Sequence, residues 1–256
     1  MITGLGLCLQ LSAQSGPTAS EIIEKSREAS KISGMEVLST LKIYDDRGRE
    51  RTRETSMASR LFDKGKTEKR IIRFRSPADV EGTGMLIYDY DQESDDMWIY
   101  MPALRKTRRI VSTEKSRSFM GSEFSNADMS APSTDDFNSR LTGSGGVDGT
   151  DCWIIELIPA DEDIADEFGF SKKITWIGKE DYVARKSEYY DLDGELLKVM
   201  SAGEVKCIDP AAQKYLATRM EMENVQSGRK SVFTMDKINF NPQVSEEYFT
   251  ITYLER

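Results

Sequence analysis

Residues 213–226 read Gln213-Lys214-Tyr215-Leu216-Ala217-Thr218-Arg219-Met220-Glu221-Met222-Glu223-Asn224-Val225-Gln226. Successive side chains of an extended strand point to opposite sides, so Leu216, Thr218, Met220 and Met222 share one face and Arg219, Glu221 and Glu223 share the other. One face is apolar and one is wet. The same division recurs at 71–75, where Ile72 and Phe74 oppose Arg73 and Arg75. Strands of this kind belong to an antiparallel sheet that buries a single face.

Working outward, the runs near 35–44, 50–62, 67–75, 83–90, 96–101, 106–111, 150–159, 171–178, 182–191, 195–207 and 230–240 have the same character, and a short run at 248–254 closes the chain. Turn chemistry separates many of them: Asp45-Asp46-Arg47-Gly48, Asp63-Lys64-Gly65-Lys66, Asp91 to Asp95, Gly178 to Asp181, Asp193-Gly194 and Ser227-Gly228. Turns this tight join neighbouring strands, which predicts an antiparallel meander and excludes a fold alternating strands with long helices. One helix is expected, at 18–33: Thr18 or Ser20 caps it, Glu21 and Glu24 suit its first turns, Ile22, Ile23 and Ala29 form its stripe, and Gly34 stops it. Residues 112–135 are Ser-rich with little alternation, a long loop or short helices; 159–170 is an acidic connection. Many long strands with one apolar face need a cover that a single helix cannot supply. The apolar face must therefore curl on itself or hold a ligand.

Composition narrows the chemistry. The chain has no histidine, which removes Ser-His and Cys-His nucleophiles, His-ligated zinc and the usual general base near neutral pH. No enzyme activity and no cofactor are expected. A net charge of -9 argues against a nucleic-acid partner. With 38% hydrophobic and 31% charged residues, the apolar share is modest and the surface large, as in a thin curved sheet. Charges at Arg51, Arg53, Glu54, Lys69 and Arg70 do not suit the lipid-facing band of an outer-membrane barrel. Asp89, Asp91, Glu93 and Asp95 imitate half a calcium loop, but Ser94 stands where glycine is needed and Tyr100 where the bidentate glutamate belongs, so a polar turn is the reading. Cys152 and Cys207 fall in expected strands, and a bridge or two separate thiols are both open.

The first thirteen residues carry no charge and are apolar through Ile2, Leu5, Leu7, Leu9 and Leu11, with a plausible cut after Ala13. They read as the end of a secretory signal peptide too short to span a bilayer, its basic region missing through a misplaced start or a trimmed leader. Residues 1–13 are thus a truncated signal and 14–256 one domain of an exported, periplasmic protein. Cys8 follows Leu7, where a lipoprotein signal would have a small residue.

Three ordered blocks carry a resemblance. Ser76-Pro77-Ala78-Asp79-Val80-Glu81-Gly82-Thr83-Gly84, then Asp96-Met97-Trp98-Ile99-Tyr100-Met101-Pro102-Ala103-Leu104-Arg105-Lys106-Thr107-Arg108-Arg109-Ile110, then Phe119-Met120-Gly121-Ser122-Glu123-Phe124 resemble the LolA-like family of outer membrane lipoprotein-sorting proteins, and the hairpin from Trp176 to Lys198 fits it too. The resemblance spans about 35–250. It implies an incomplete antiparallel β-barrel with helices over its open side, whose apolar hollow carries the acyl chains of a lipoprotein or another lipid through the periplasm, with transient membrane contact. Members also occur beside exporters of the resistance-nodulation-division type, so an accessory module docking on an inner-membrane exporter is the alternative.

On this reading the hollow is lined by Ile72, Phe74, Met85, Met97, Trp98, Ile99, Tyr100, Met101, Met200, Leu216, Met220 and Met222. Its lid is the 112–135 loop, with Phe119, Met120 and Phe124, together with the N-terminal helix. For Trp98 and Tyr100, core packing and lipid lining are both open. Arg105, Lys106, Arg108 and Arg109 form a basic patch for anionic head groups or a solvated strand end. Twelve methionines suit a cavity that accepts variable chains, and they also fill ordinary cores. The leader reading has a direct check: intact mass of the protein from its native host should place the N-terminus at or near Gln14, and retention of Met1 would exclude a periplasmic location.

Overall fold

The computed structural model describes residues 16–91, 93–131 and 133–256; the expected leader, Cys8, the cut before Gln14 and Pro132 lie outside them. Helix α1 (Ala19–Ser30) opens on a reciprocal cap, in which the Thr18 hydroxyl accepts from the Glu21 amide and the Glu21 carboxylate accepts from the Thr18 amide. It stops at Lys31, earlier than expected, and Gly34 opens the first strand instead. There the Asn241 amide donates to the Gly34 carbonyl, and a Cβ on Gly34 would sit 2.3 Å from the Asn241 oxygen.

Thirteen strands form one antiparallel sheet: β1 (Gly34–Tyr44), β2 (Glu50–Phe62), β3 (Thr67–Ser76), β4 (Gly84–Tyr90), β5 (Asp96–Met101), β6 (Lys106–Arg109), β7 (Phe137–Val147), β8 (Thr150–Pro159), β9 (Lys172–Gly178), β10 (Ala184–Tyr190), β11 (Leu196–Asp209), β12 (Lys214–Asn224) and β13 (Arg229–Phe240). Their order is β6-β5-β4-β3-β2-β1-β13-β12-β11-β10-β9-β8-β7. Two meanders, β1 to β6 and β7 to β13, are joined through the β1·β13 ladder, whose register runs from Met35 opposite Phe240 to Tyr44 opposite Lys230. The outer strands β6 and β7 do not pair with each other, so the barrel is open. Along β1, Met35, Val37, Ser39, Leu41 and Ile43 are buried and alternate with more exposed residues, the pattern of a sheet wet on one side. Two pairs of buried hydroxyls satisfy each other across strands: Ser39 with Thr55 at 2.6 Å and Thr175 with Ser187 at 3.0 Å.

Each face of the sheet has its own cover. On one, Ala58, Ile71 and Leu86 pack against Val244, Phe249 and Leu254, with Trp98 and Tyr100 at the margin. The residues expected as a closing strand are a 3-10 turn (Glu246–Phe249) and helix α3 (Ile251–Leu254), capped by the Thr250 hydroxyl. A strand would alternate sides, whereas Phe249 and Leu254 must both reach the same sheet face. The other face carries α1, helix α2 (Glu162–Phe168) and the chain from 110 to 136. Ile22 of α1 is fully buried with Ile155 and Ile177. The acidic connection thus contains α2, with Asp161 capping through the Ile164 amide and Gly169 ending it at positive φ.

Strand β7 escaped the sequence reading because Leu141-Thr142-Gly143-Ser144-Gly145-Gly146 is glycine-rich and largely exposed, with no alternation to see. The Asp148-Gly149 pair, both at positive φ, is the two-residue hairpin signal that identifies it. The two cysteines among the described residues are free, Cys152 buried and Cys207 exposed. No helix among the described residues is long and apolar enough to cross a membrane.

Leu254 is fully buried, so Leu254→Ala should lower unfolding stability by about 2–5 kcal/mol in urea titration. Leu192→Ala, at an exposed site, should change it by less than about 0.5 kcal/mol.

Candidate functional site: a roofed apolar cavity

Because β6 and β7 are consecutive in the chain but opposite ends of the sheet, residues 110–136 must travel from one edge to the other. They cross over the face that carries α1. Beneath them is a cavity of about 410 Å³, within the roughly 300–1,000 Å³ range of small-molecule sites. Strands from both meanders supply its wall: Met35, Leu41, Met57 and Ile72 from β1 to β3, and Met200, Leu216, Met220, Met222, Phe233 and Met235 from β11 to β13. A sheet whose two arms line one cavity must curl around it.

The register explains this lining. Met200 pairs with Met222, Met220 with Phe233, Phe233 with Leu41, and Met57 with Ile72, so each pair projects to the same face. Seven methionines line the cavity: Met35, Met57, Met129, Met200, Met220, Met222 and Met235. Unbranched thioethers repack at low cost around ligands of differing shape. At one end the wall is aromatic, with Phe137 stacked on Phe170 at 5.7 Å and edge-on to Phe168 at 5.0 Å.

The roof is anchored by apolar and polar contacts. Phe119 and Phe124 are buried, Phe119 lying 5.8 Å from the Phe74 ring. The Met120 and Met129 carbonyls accept from Arg53 and Arg70 of the sheet. Glu123 pairs with Arg229 at 2.9 Å, and Lys115 with Glu167 of α2 at 2.6 Å. Two phenylalanines thus give this Ser-rich segment its apolar anchors.

Helix α1 closes another side through charge. Arg27 meets Asp89 at 2.9 Å and Asp91 at 3.3 Å, and Lys31 meets Asp91 at 2.8 Å. Asp89, buried in β4, also accepts the Ala131 amide of the roof at 2.8 Å. One carboxylate therefore ties helix, roof and sheet together. Burial and the neighbouring Asp95 push it up to about 7, against the pull of the Ala131 amide, Arg70 and Arg27. The aspartates that imitate a calcium loop are spent on such contacts, and among the described residues no cluster of metal-binding side chains occurs.

Of the residues expected to line the hollow, Ile72, Met200, Leu216, Met220 and Met222 meet at the cavity, and Phe119 and Phe124 face it from the roof. Phe74, Met85 and Met97 are buried in the core on the same side, with Ile99 and Met120 packed against it; none of the five is in the cavity wall. Met101 ends β5, partly buried and away from the cavity. Trp98 and Tyr100 project to the opposite face, since Trp98 pairs with Leu86 and Leu86 with Ile71, and they pack beneath the C-terminal segment. Core packing is the outcome for these two. In the basic patch, Arg108 pairs with Glu114 and Arg109 with Asp96. Sequence reasoning missed Met35 and Leu41 of β1, Met57 of β2, and Phe233 and Met235 of β13, which the alternation of those strands could have revealed. It also missed Asp128, Lys173, Tyr189 and Lys198, polar residues of the wall with no pattern to mark them.

A family model described only as an uncharacterized protein matches residues 66–256. No curated protein matches the chain. Among solved structures, an outer membrane lipoprotein-sorting protein domain from Vibrio parahaemolyticus is 28% identical, with a TM-score of 0.83 over 92% of this chain and 97% of that one. A DUF1329 family protein from Desulfovibrio piger ATCC 29098 gives the same identity, TM-score and coverage. A LolA superfamily protein from Nitrosomonas europaea shares the fold at 22% identity and a TM-score of 0.68, over 93% of this chain and all of that one.

Asp89 gives the site a pH signature. A folded value above the ordinary aspartate 3.8 means that the native protein binds more protons than the unfolded chain, so this residue's contribution to stability falls as pH rises from about 4 to about 7 and is flat above. Relative to Asp89→Asn, the parent should lose on the order of 1.4 kcal/mol for each pH unit in that window. Denaturant titrations of both proteins from pH 5 to pH 8 measure it; a constant difference would show Asp89 ionised throughout.

Proposed function

We propose that the chain, which belongs to the family whose model spans residues 66–256 and is similar to an outer membrane lipoprotein-sorting protein domain and a DUF1329 family protein, is a noncatalytic periplasmic carrier. It takes the acyl chains of a lipoprotein or another lipid into the methionine-lined cavity and moves them toward the outer membrane. Residues 14–256 act as one lipid-binding domain after removal of the leader. The observation that carries this reading is a largely apolar cavity left unfilled between the two arms of the sheet and roofed by the chain that joins their edges.

The energetics suit a carrier. Each methylene moved from water to the cavity contributes about 0.8 kcal/mol. Against this stands the cost of displacing Phe119, Phe124 and the polar contacts of the roof. Loading and release are therefore opposed by the same lid, which keeps net affinity moderate, and brief contact with a membrane supplies or accepts the chain. The absence of histidine from the sequence accords with binding in place of catalysis.

Met220 provides the test, since it lines the cavity and is partly exposed to it. Met220→Lys should leave the protein folded, its ammonium reaching along the open cavity, and should weaken a neutral probe such as N-phenyl-1-naphthylamine about tenfold or more. Glu223→Lys, on the exposed face of the same strand, should alter neither melting nor binding. A folded Met220→Lys protein that binds the probe like its parent would remove the cavity from the function.

A further inference from the structure

We propose that the polar wall of the cavity holds the anionic head of the bound lipid: Lys173 and Lys198, on either side of Tyr189, take a carboxylate or phosphate while the methionines take the chain. The inference rests on the lipid-carrier reading and narrows it to anionic amphiphiles.

The placement follows from register. Lys173 of β9 pairs with Tyr189 of β10, and Tyr189 with Lys198 of β11, so the three side chains form one row on the cavity face. The adjoining row on these strands, Thr175, Ser187, Met200 and Met222, leads into the methionine wall. The Lys173 and Lys198 ammonium groups stand 4.6 and 5.0 Å from the centroid of the same Tyr189 ring. Ring contacts offset part of the cost of burying a cation, but two like charges at one ring repel each other.

The protein supplies one carboxylate here, and it is already engaged. Asp128 accepts from the Ser125 amide and hydroxyl at 2.8 Å each and from the Tyr189 hydroxyl at 3.3 Å, and stands 3.5 Å from the Lys198 ammonium. Although burial works to raise it, Lys198 and the Ser125 amide hold Asp128 below the usual carboxylate range. Among the described residues Lys173 has the Tyr189 ring contact and the longer-range pull of Asp128, but no hydrogen bond or ion pair of its own. Burial pulls its ammonium below the ordinary lysine range.

Charge balance across the cavity makes this row distinct. At the other end Arg27, Lys31 and Arg70 are matched by Glu68, Asp89 and Asp91, in contacts of 2.8 to 3.3 Å. At this end two lysines face one aspartate. The excess cation occurs in a chain of net charge -9, so it is no by-product of a basic composition. An unneutralised ammonium beside an apolar cavity is costly, and a methionine would fill the same space without that cost. The missing counter-charge is the head of a ligand whose tail lies along β12, β13 and β1. The Lys173 ammonium offers it three donors, and the Lys198 ammonium, which also donates to the Glu123 carbonyl at 3.4 Å, adds its charge; charge-assisted bonds of this kind are the strong ones.

Competition against bound N-phenyl-1-naphthylamine tests this with one chain and two heads. In the parent, sodium oleate should displace the probe at about tenfold lower concentration than oleyl alcohol. Lys173→Met should bring oleate to the level of the alcohol and leave the alcohol unchanged, with melting at or above the parent's because an unpaired charge is gone. Lys173→Arg should retain the preference for oleate. Sodium acetate and inorganic phosphate, heads without a chain, should leave the probe bound even in large excess. Equal displacement by oleate and alcohol in the parent, a preference surviving in Lys173→Met, or displacement by acetate or phosphate alone would each overturn the head-group site while leaving the cavity's lipid binding in place. If neither long-chain compound displaced the probe from the parent, the lipid-carrier reading would fail first, and this inference with it.

Discussion

The β1·β13 ladder is the interaction on which the rest depends. It joins a meander from the first half of the chain to one from the second, and places β6 and β7, consecutive in sequence, at opposite ends of thirteen strands. The connection between them has no short route. It must span the curled face, and so a roof over the cavity follows from topology before any side chain is considered. The ladder closes a long loop of chain, whose entropy is lost before the pairing gains anything in return, so its strong alternation of buried residues, Met35 to Ile43, carries a large share of the fold.

The two faces of the sheet solve the covering problem differently. Against Ala58, Ile71 and Leu86 the C-terminal segment places Phe249 and Leu254, large side chains buried to exclusion of water. That face is packed solid in the ordinary way of protein interiors. The opposite face is covered by a helix and a loop whose contacts are in good part polar: Arg27 with Asp89, Lys31 with Asp91, Glu123 with Arg229, Asp89 with the Ala131 amide. The cavity thus lies under the cover formed by α1 and the chain from 110 to 136, and the C-terminal segment covers the other face.

Within the cavity, apolar and charged walls divide the work of recognition. Methionines set no particular shape, which suits chains of variable length and branching. The row Lys173, Tyr189, Lys198 does set a sign of charge, because an ammonium held in a poorly solvated wall discriminates strongly between an anion and a neutral group. A soft binding surface and a single electrostatic demand at one end form a site that is permissive for the tail and selective for the head.

By itself, the sequence determined what depends on local chemistry and strand parity. The alternation at 213–226 assigns Leu216, Met220 and Met222 to one face, the Asp-Gly and Ser-Gly turns join neighbours, and Thr18 with Glu21 starts the one helix placed in advance. The absence of histidine and the negative charge removed whole classes of chemistry, and three blocks pointed to the LolA-like family. Tertiary structure alone decided which strands border the cavity, because parity gives the side of a sheet and not the position across it. Phe74, Met85 and Met97 share the face of Met220 yet are buried in the core outside the cavity wall, and Trp98 and Tyr100 pack under a C-terminal segment whose turn and helix could not be told from a strand by seven residues of pattern. The Lys173, Tyr189 and Lys198 row was equally hidden. Its members lie on three strands, lysine is common on any wet face, and only the pairing register turns three scattered positions into one charged wall.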